Sequence, residues 1–131
     1  MILDTTILVD FIRGKETAVS FIRKNKGESL FTTEINVFEL FTGYFAMNRD
    51  TNLQLDKINF LLSKLIILQL DRKASLKSGE INGQLIKKGQ TIDPTDCLIA
   101  GIGLANNVTS IVTRNKTHFE RVSGIKVISY T

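Results

Sequence analysis

MILDTTILVD, residues 1–10, places an aspartate at the end of a run apolar enough for a strand buried on both faces. Residues 1–4 are predicted as that strand. Directly after it, Ile7, Leu8, Phe11 and Ile12 recur at helical spacing until Gly14 stops the pattern. A buried strand running straight into a helix is a building unit of a parallel α/β sheet, and such sheets hold their ligands beyond the carboxyl ends of the strands. Asp4 stands at such an end, where it either caps the helix or is held for chemistry.

The alternation continues along the chain. Residues 16–25 read as a short helix ending at Gly27, and SLFTT (29–33) reads as a strand. Thr32 or Thr33 can cap the next helix, over about 33–48, with Val37, Phe38, Phe41, Tyr44 and Phe45 on one apolar face. Residues 53–65 form another amphipathic helix that runs into the strand IILQL (66–70). A polar helix over 71–88, with Leu76, Ile81, Leu85 and Ile86 inward, is broken by Gly89. DPTDCLIAGIGLANN (93–107) gives the last helix of the pattern, TSIVT (109–113) a fourth strand and GIKVISY (124–130) a fifth. The predicted fold is a three-layer α/β/α arrangement around a central, mostly parallel sheet of four to five strands, with one domain over residues 1–131.

At 131 residues and 43% hydrophobic content the chain can bury one continuous core. Seventeen Lys and Arg against thirteen Asp and Glu give a net charge of +4, which leaves nucleic acid or an acidic partner open. The excess belongs to residues 51–131, with eleven basic against six acidic side chains. One cysteine cannot form an internal disulfide, and no Cys and His set has zinc spacing, which points to a reducing compartment. No apolar stretch approaches the roughly 20 residues that cross a bilayer, and no basic segment precedes the first apolar run, which Asp4 interrupts. The expected location is cytoplasmic, away from the membrane.

Two further carboxylates bear on Asp4. In Asp93-Pro94-Thr95-Asp96 the aspartate at 93 suits the N-cap, proline the first helical position, and Asp96 the third, where it can favour the helix dipole. Capping alone would explain the pair. Yet Asp96 shares a face with Ile99, Ala100 and Gly103, the face expected to pack on the sheet, so it is read as pointing into a site with Asp93 as the cap. The small residues Ala100, Gly101, Gly103 and Ala105 allow that packing to be close. Glu39 falls at the margin of the Phe38, Phe41 and Phe45 stripe and, taken alone, reads as a solvated glutamate. Only together do Asp4, Glu39 and Asp96 make a site. Three gathered carboxylates repel and resist desolvation unless a cation neutralises them, and hard oxygen donors without a His and Cys set suit magnesium or manganese. Such a site fits hydrolysis of a phosphodiester.

ILDTTILVDFIRG at the start, Glu39-Leu40, IDPTDCLIAGIGL (92–104) and VTRNKTHFERVSGIKV (112–127) together resemble the PIN domain family, more specifically its VapC-type toxins. The resemblance covers essentially the whole chain. It implies a magnesium- or manganese-dependent endoribonuclease with Asp4, Glu39 and Asp96 as metal ligands. It also implies toxin homodimers and neutralisation by a cognate antitoxin protein. A fourth acidic residue, common in the family within the segment that reads TRNKTHF, is replaced by Asn115, which brings no charge and leaves the number of metal ions open. Arg13, Lys15, Arg114 and Lys116, near the strand ends, are candidates for contacts to RNA phosphates or to the antitoxin. Thr6 and Thr113 either position the acids or merely begin a helix and end a strand. His118 reads as a loop residue packed beside Phe119, and Cys97 as a small buried apolar residue. The phenylalanine stripe reads as core or dimer surface.

Two other classes compete. Aspartate phosphatases and dehalogenase-like hydrolases also follow a buried first strand with an aspartate, but need a second one two residues on, where this chain has Thr6. A catalytically weakened PIN-like module that binds RNA or protein is the main alternative, with Asn115 as its support.

Overall fold

The computed structural model describes residues 1–47 and 52–131. Its strands are β1 (Ile2–Leu3), β2 (Phe31–Thr33), β3 (Ile66–Leu68), β4 (Ser110–Val112) and β5 (Lys126–Ile128). They form one five-stranded sheet in the order β3-β2-β1-β4-β5, with every pairing parallel, as the alternation predicts. The helices are α1 (Thr5–Ile12), α2 (Glu16–Lys24), α3 (Glu34–Ala46), α4 (Asn52–Ser63), α5 (Arg72–Lys87), α6 (Pro94–Ala105) and α7 (Lys116–Glu120). The predicted end of α3 near residue 48 lies outside the described residues.

Adjacent strand residues point to opposite faces of a sheet, and two separate apolar clusters result. Ile2 and Ile111 join Ile81, Leu85, Ile99 and Phe119 on one face. Leu3 and Val112 join Ile7, Leu8, Leu40 and Leu61 on the other. A strand of two residues buried completely on both sides explains why the first segment shows no polar alternation.

Gly14 and Gly89 follow α1 and α5 with φ of +76° and +64°, the left-handed turn that ends a helix at low cost only for glycine. Asp71 caps α5 by accepting from the Ala74 amide at 2.9 Å. The inward face of α5 differs from the prediction. Ala74, Ser78, Ile81 and Leu85 are buried, whereas Leu76 and Ile86 are exposed. Backbone approach decides this face more than side-chain size does. A Cβ at Gly101 of α6 would come within 2.7 Å of the Ser78 Cα and backbone nitrogen. Gly101→Ala is therefore expected to cost about 1–3 kcal/mol in thermal or denaturant unfolding, because the opposing atoms are backbone and cannot rotate away. Gly79→Ala, with open space around its Cβ, should instead gain roughly 0.5–1 kcal/mol.

On α3 the buried positions are Asn36 and Leu40, while Phe38 and Phe45 are 64% and 76% exposed. The phenylalanine stripe is thus not core. The five-residue helix α7 occupies part of a segment predicted as a loop, because one turn is too short to show a periodicity.

Candidate active site

From β1 the chain order steps outward through β2 and β3 on one side, and β4 and β5 lie on the other. The crevice of such a sheet opens where the order reverses, between β1 and β4. Asp4 and Thr113 follow those two strands, and the Asp4 amide donates to the Val112 carbonyl at 3.0 Å.

Asp4 sits at the N-cap position of α1 and makes no side-chain cap bond. Its carboxylate, in a residue only 2% exposed, instead accepts from Thr113 Oγ1 at 2.7 Å, Asn36 Nδ2 at 3.1 Å and Thr6 Oγ1 at 3.3 Å. These contacts, rather than a cap bond, hold the carboxylate in place. Thr6 and Thr113 both orient the acid.

Asn36 links the first acid to the second. It is fully buried in the first turn of α3, where it completes a reciprocal capping box with Thr33. Its Nδ2 also reaches Thr5 Oγ1 at 3.0 Å, and Thr5 Oγ1 donates to Glu39 Oε1 at 2.7 Å. Glu39 stands one helical turn beyond Asn36 and so faces the same way. The third acid, Asp96, lies in the first turn of α6, buried, with Oδ2 2.7 Å from His118 Nδ1 on α7. The structure corrects the reading of His118 as a loop residue packed beside Phe119: the helix α7 aims its imidazole at Asp96. Asp93 occupies the N-cap position of α6 without a side-chain cap bond. Asp93, Asp96 and His118 each bring one ligand atom within 4.8 Å of the others.

Burial pushes the pKa of Asp4 upward against four hydrogen bonds. Burial likewise raises Glu39, and the charges of Asp4, Asp96 and Asp93 raise it further against the Thr5 bond. Asp96 is raised by burial, with the charges of Asp4 and Asp93 adding to it, while His118 works the other way. These mutual effects place the acids in one electrostatic neighbourhood. Among the described residues, the ion pairs are Lys15 and Arg114 with Asp10, Lys77 with Glu80, and His118 with Asp96. Among those residues, no lysine or arginine pairs with Asp4, Glu39 or Asp96. Oxygen donors that are buried or half-buried, mutually repelling and, among the described residues, without a lysine or arginine beside them suit a hard divalent cation, so the residues present fit such an ion.

The remaining candidates divide. Asn115 is exposed at the N-cap of α7, with its backbone amide on Thr113 Oγ1 at 2.9 Å and no side-chain cap bond. Arg13 lines a cavity of about 170 Å³ together with Glu39, Leu40 and Tyr44. Lys15 and Arg114 converge on Asp10. Lys116 is exposed at the start of α7. Cys97 is buried, as predicted, and burial raises its thiol pKa. Asn36 and Thr5 were not legible as partners of the acids; the spacing Thr33-x-x-Asn36 was the one available signal, since it is that of a capping box.

Thr113→Val keeps shape and removes the shortest bond to Asp4. It is expected to weaken divalent-cation affinity about 10- to 100-fold with the fold retained, as measured by calorimetric titration.

A parallel sheet with acids beyond its strand ends at the switch point is an α/β domain with its site in that crevice, and the chain belongs to the PIN domain family, whose profile matches residues 1–125. The particular relatives are VapC proteins. The chain is 29% identical over 125 residues to the tRNA(fMet)-specific endonuclease VapC of Shigella flexneri, covering 95% of this chain and 92% of that one. It superposes on VapBC2 from Rickettsia felis, bound to a promoter DNA fragment, with TM-score 0.89 and 25% identity over 99% of this chain and 98% of that one. DNA-bound VapBC from Salmonella typhimurium gives TM-score 0.88 and 27% identity, with 99% and 97% covered.

Proposed function

We propose that this chain is the toxin half of a VapBC-type pair, a metal-dependent endoribonuclease that hydrolyses RNA phosphodiesters with Asp4, Glu39 and Asp96 as the metal-holding set. The carrying observation is a trio of acids, Asp4 and Asp96 buried and Glu39 half-buried, in which Asn36 and Thr5 link Asp4 to Glu39, neighbouring charge reaches Asp96, and no lysine or arginine among the described residues pairs with any of them. Bound there, magnesium or manganese would lower the pKa of a water and stabilise the charge that develops on the phosphodiester. The chain's own part is to hold those oxygens in place. Thr113, Thr6 and Asn36 fix Asp4, Thr5 fixes Glu39, and His118 fixes Asp96. Asn115, beside Thr113, would hold substrate or water as a neutral group.

The antitoxin is the expected protein partner, since the similar solved structures are VapBC complexes. Phe38 and Phe45 offer an exposed apolar surface on α3 that suits a second copy of this chain. We place the reaction in the cytoplasm with its RNA. Among the described residues, no helix is long and apolar enough to cross a membrane.

The test is incubation of purified protein with total RNA, and with initiator tRNA as the first defined substrate, in magnesium, in manganese and in EDTA. Discrete products in either ion and none in EDTA are expected. RNA bound without cleavage in both ions would select the non-catalytic module that the neutral Asn115 suggests.

A further inference from the structure

Asp10 is 1% exposed and takes no part in the acidic cup. Tyr130 donates its hydroxyl to Oδ2 at 2.6 Å, Arg114 Nε stands 3.4 Å from the same oxygen, and Lys15 Nζ stands 3.5 Å from Oδ1. Among the described residues Oδ1 has no hydrogen-bond partner, only this Lys15 ion pair. A buried carboxylate with an unsatisfied oxygen is costly, and an apolar side chain could fill the same volume without that cost. Packing therefore does not explain it.

The charge holds a cation in place. Arg114 directly follows Thr113, the residue bound to Asp4, and its amide donates to Thr6 Oγ1 at 3.1 Å. Thr6 Oγ1 in turn donates to Asp4 Oδ2. Thr6 and Asp10 are four residues apart on α1 and so share a face. Arg114 is thus tied to α1 twice, by its backbone one bond away from Asp4 and by its guanidinium on Asp10, while its side chain stays 44% exposed. An RNA phosphate approaching three carboxylates meets repulsion that a guanidinium carried on the residue after Thr113 offsets, and a fixed one loses less entropy on contact than a free one.

We propose that Asp10 is a positioning residue that, through Arg114, fixes the phosphate contact bordering the Asp4, Glu39 and Asp96 site. This rests on the nuclease reading for its substrate. Asp10→Asn keeps the volume and an acceptor for Tyr130 and releases the guanidinium. For cleavage of a short single-stranded RNA, KM is expected to rise about 5- to 10-fold with kcat nearly unchanged. RNA affinity in EDTA, where no cleavage occurs, should fall by the same factor. Arg114→Ala should do likewise and lower the salt slope of binding by about 0.7. In the Arg114→Ala background Asp10→Asn should add nothing, which a merely structural role would not produce. Tyr130→Phe, which loosens the carboxylate and keeps its charge, should raise KM less and in the same direction, and it carries the test if Asp10→Asn does not fold. Additive effects of the two substitutions, or a KM and an EDTA affinity unmoved by Asp10→Asn or Tyr130→Phe, overturn the proposal. Wild-type protein that binds RNA through Arg114 but cuts none would overturn the nuclease reading and leave this one standing.

Discussion

Asp4→Asn is expected to lower divalent-dependent RNA cleavage about a thousandfold or more while the metal-free protein melts no lower than the wild type. The two halves of that result have different causes. Cleavage falls because a carboxylate is lost from the set proposed to hold the cation. Stability holds because the asparagine can keep the bonds to Asn36 and Thr113, the two shortest of the three. Its carbonyl oxygen can accept from Asn36 Nδ2, and its amide can donate to Thr113, whose hydroxyl is free to rotate and accept. Burial disfavours the charge at this position, so a neutral isostere removes a desolvation cost. Asp4→Ala is the poorer test, since it strands Asn36 and Thr113 without a partner. A thousandfold loss with intact melting separates chemistry from capping; loss of both would return Asp4 to a structural role.

The first strand and its aspartate were legible because burial on both faces leaves no polar residue in β1, so an acid at its end is conspicuous. Asp96 was legible for a related reason, its spacing from Ile99 and Ala100, both fully buried. Asn36 was not. A polar residue in a first turn looks like a cap, and it is one; its second duty toward Asp4 and Thr5 depends on β2 lying beside β1, a long-range pairing that no local pattern encodes. His118 was misjudged because α7 is a single short helix, so its facing could not be inferred from periodicity. The α3 stripe was legible only as a choice between core and dimer surface, and the structure removes the core. Helical spacing shows that Phe38 and Phe45 share a side with other apolar residues, but not whether the surface that covers them belongs to the same chain. On α5 the sequence invited large residues inward, and the structure chose Ala74 and Ser78 because a glycine opposite them lets two backbones touch. Asp10 reads locally as an ordinary helical aspartate; its partners Arg114 and Tyr130 come from the far end of the chain.

Stability should depend on pH and on metal together. Asp4, Glu39 and Asp96 all have folded-state pKa values above their ordinary ones. In the window between the ordinary carboxylate value near 4 and the raised values, the folded chain therefore binds more protons than the unfolded chain, and stability falls as pH rises. Metal-free protein is thus expected to melt lower at neutral pH than at mildly acidic pH. Asp10 has the opposite sign. Burial pushes it up, but the Tyr130 hydroxyl, Arg114 and Lys15 outweigh that and hold it below the ordinary range. Its contribution is present above the ordinary value and is lost only as pH falls through the depressed one, so it acts on the acid side of the same curve. A divalent cation needs the ionised trio and binds only the folded chain, so it should remove the neutral-pH deficit. At a hundredfold excess over its dissociation constant it adds about 2.7 kcal/mol, roughly 10 °C in a domain of this size. Melting curves from mildly acidic to neutral pH, with magnesium, with manganese and with EDTA, should show a metal shift that grows with pH and is absent in Asp4→Asn. A shift independent of pH, or one retained by that variant, would mean that the cation binds elsewhere than at these three acids.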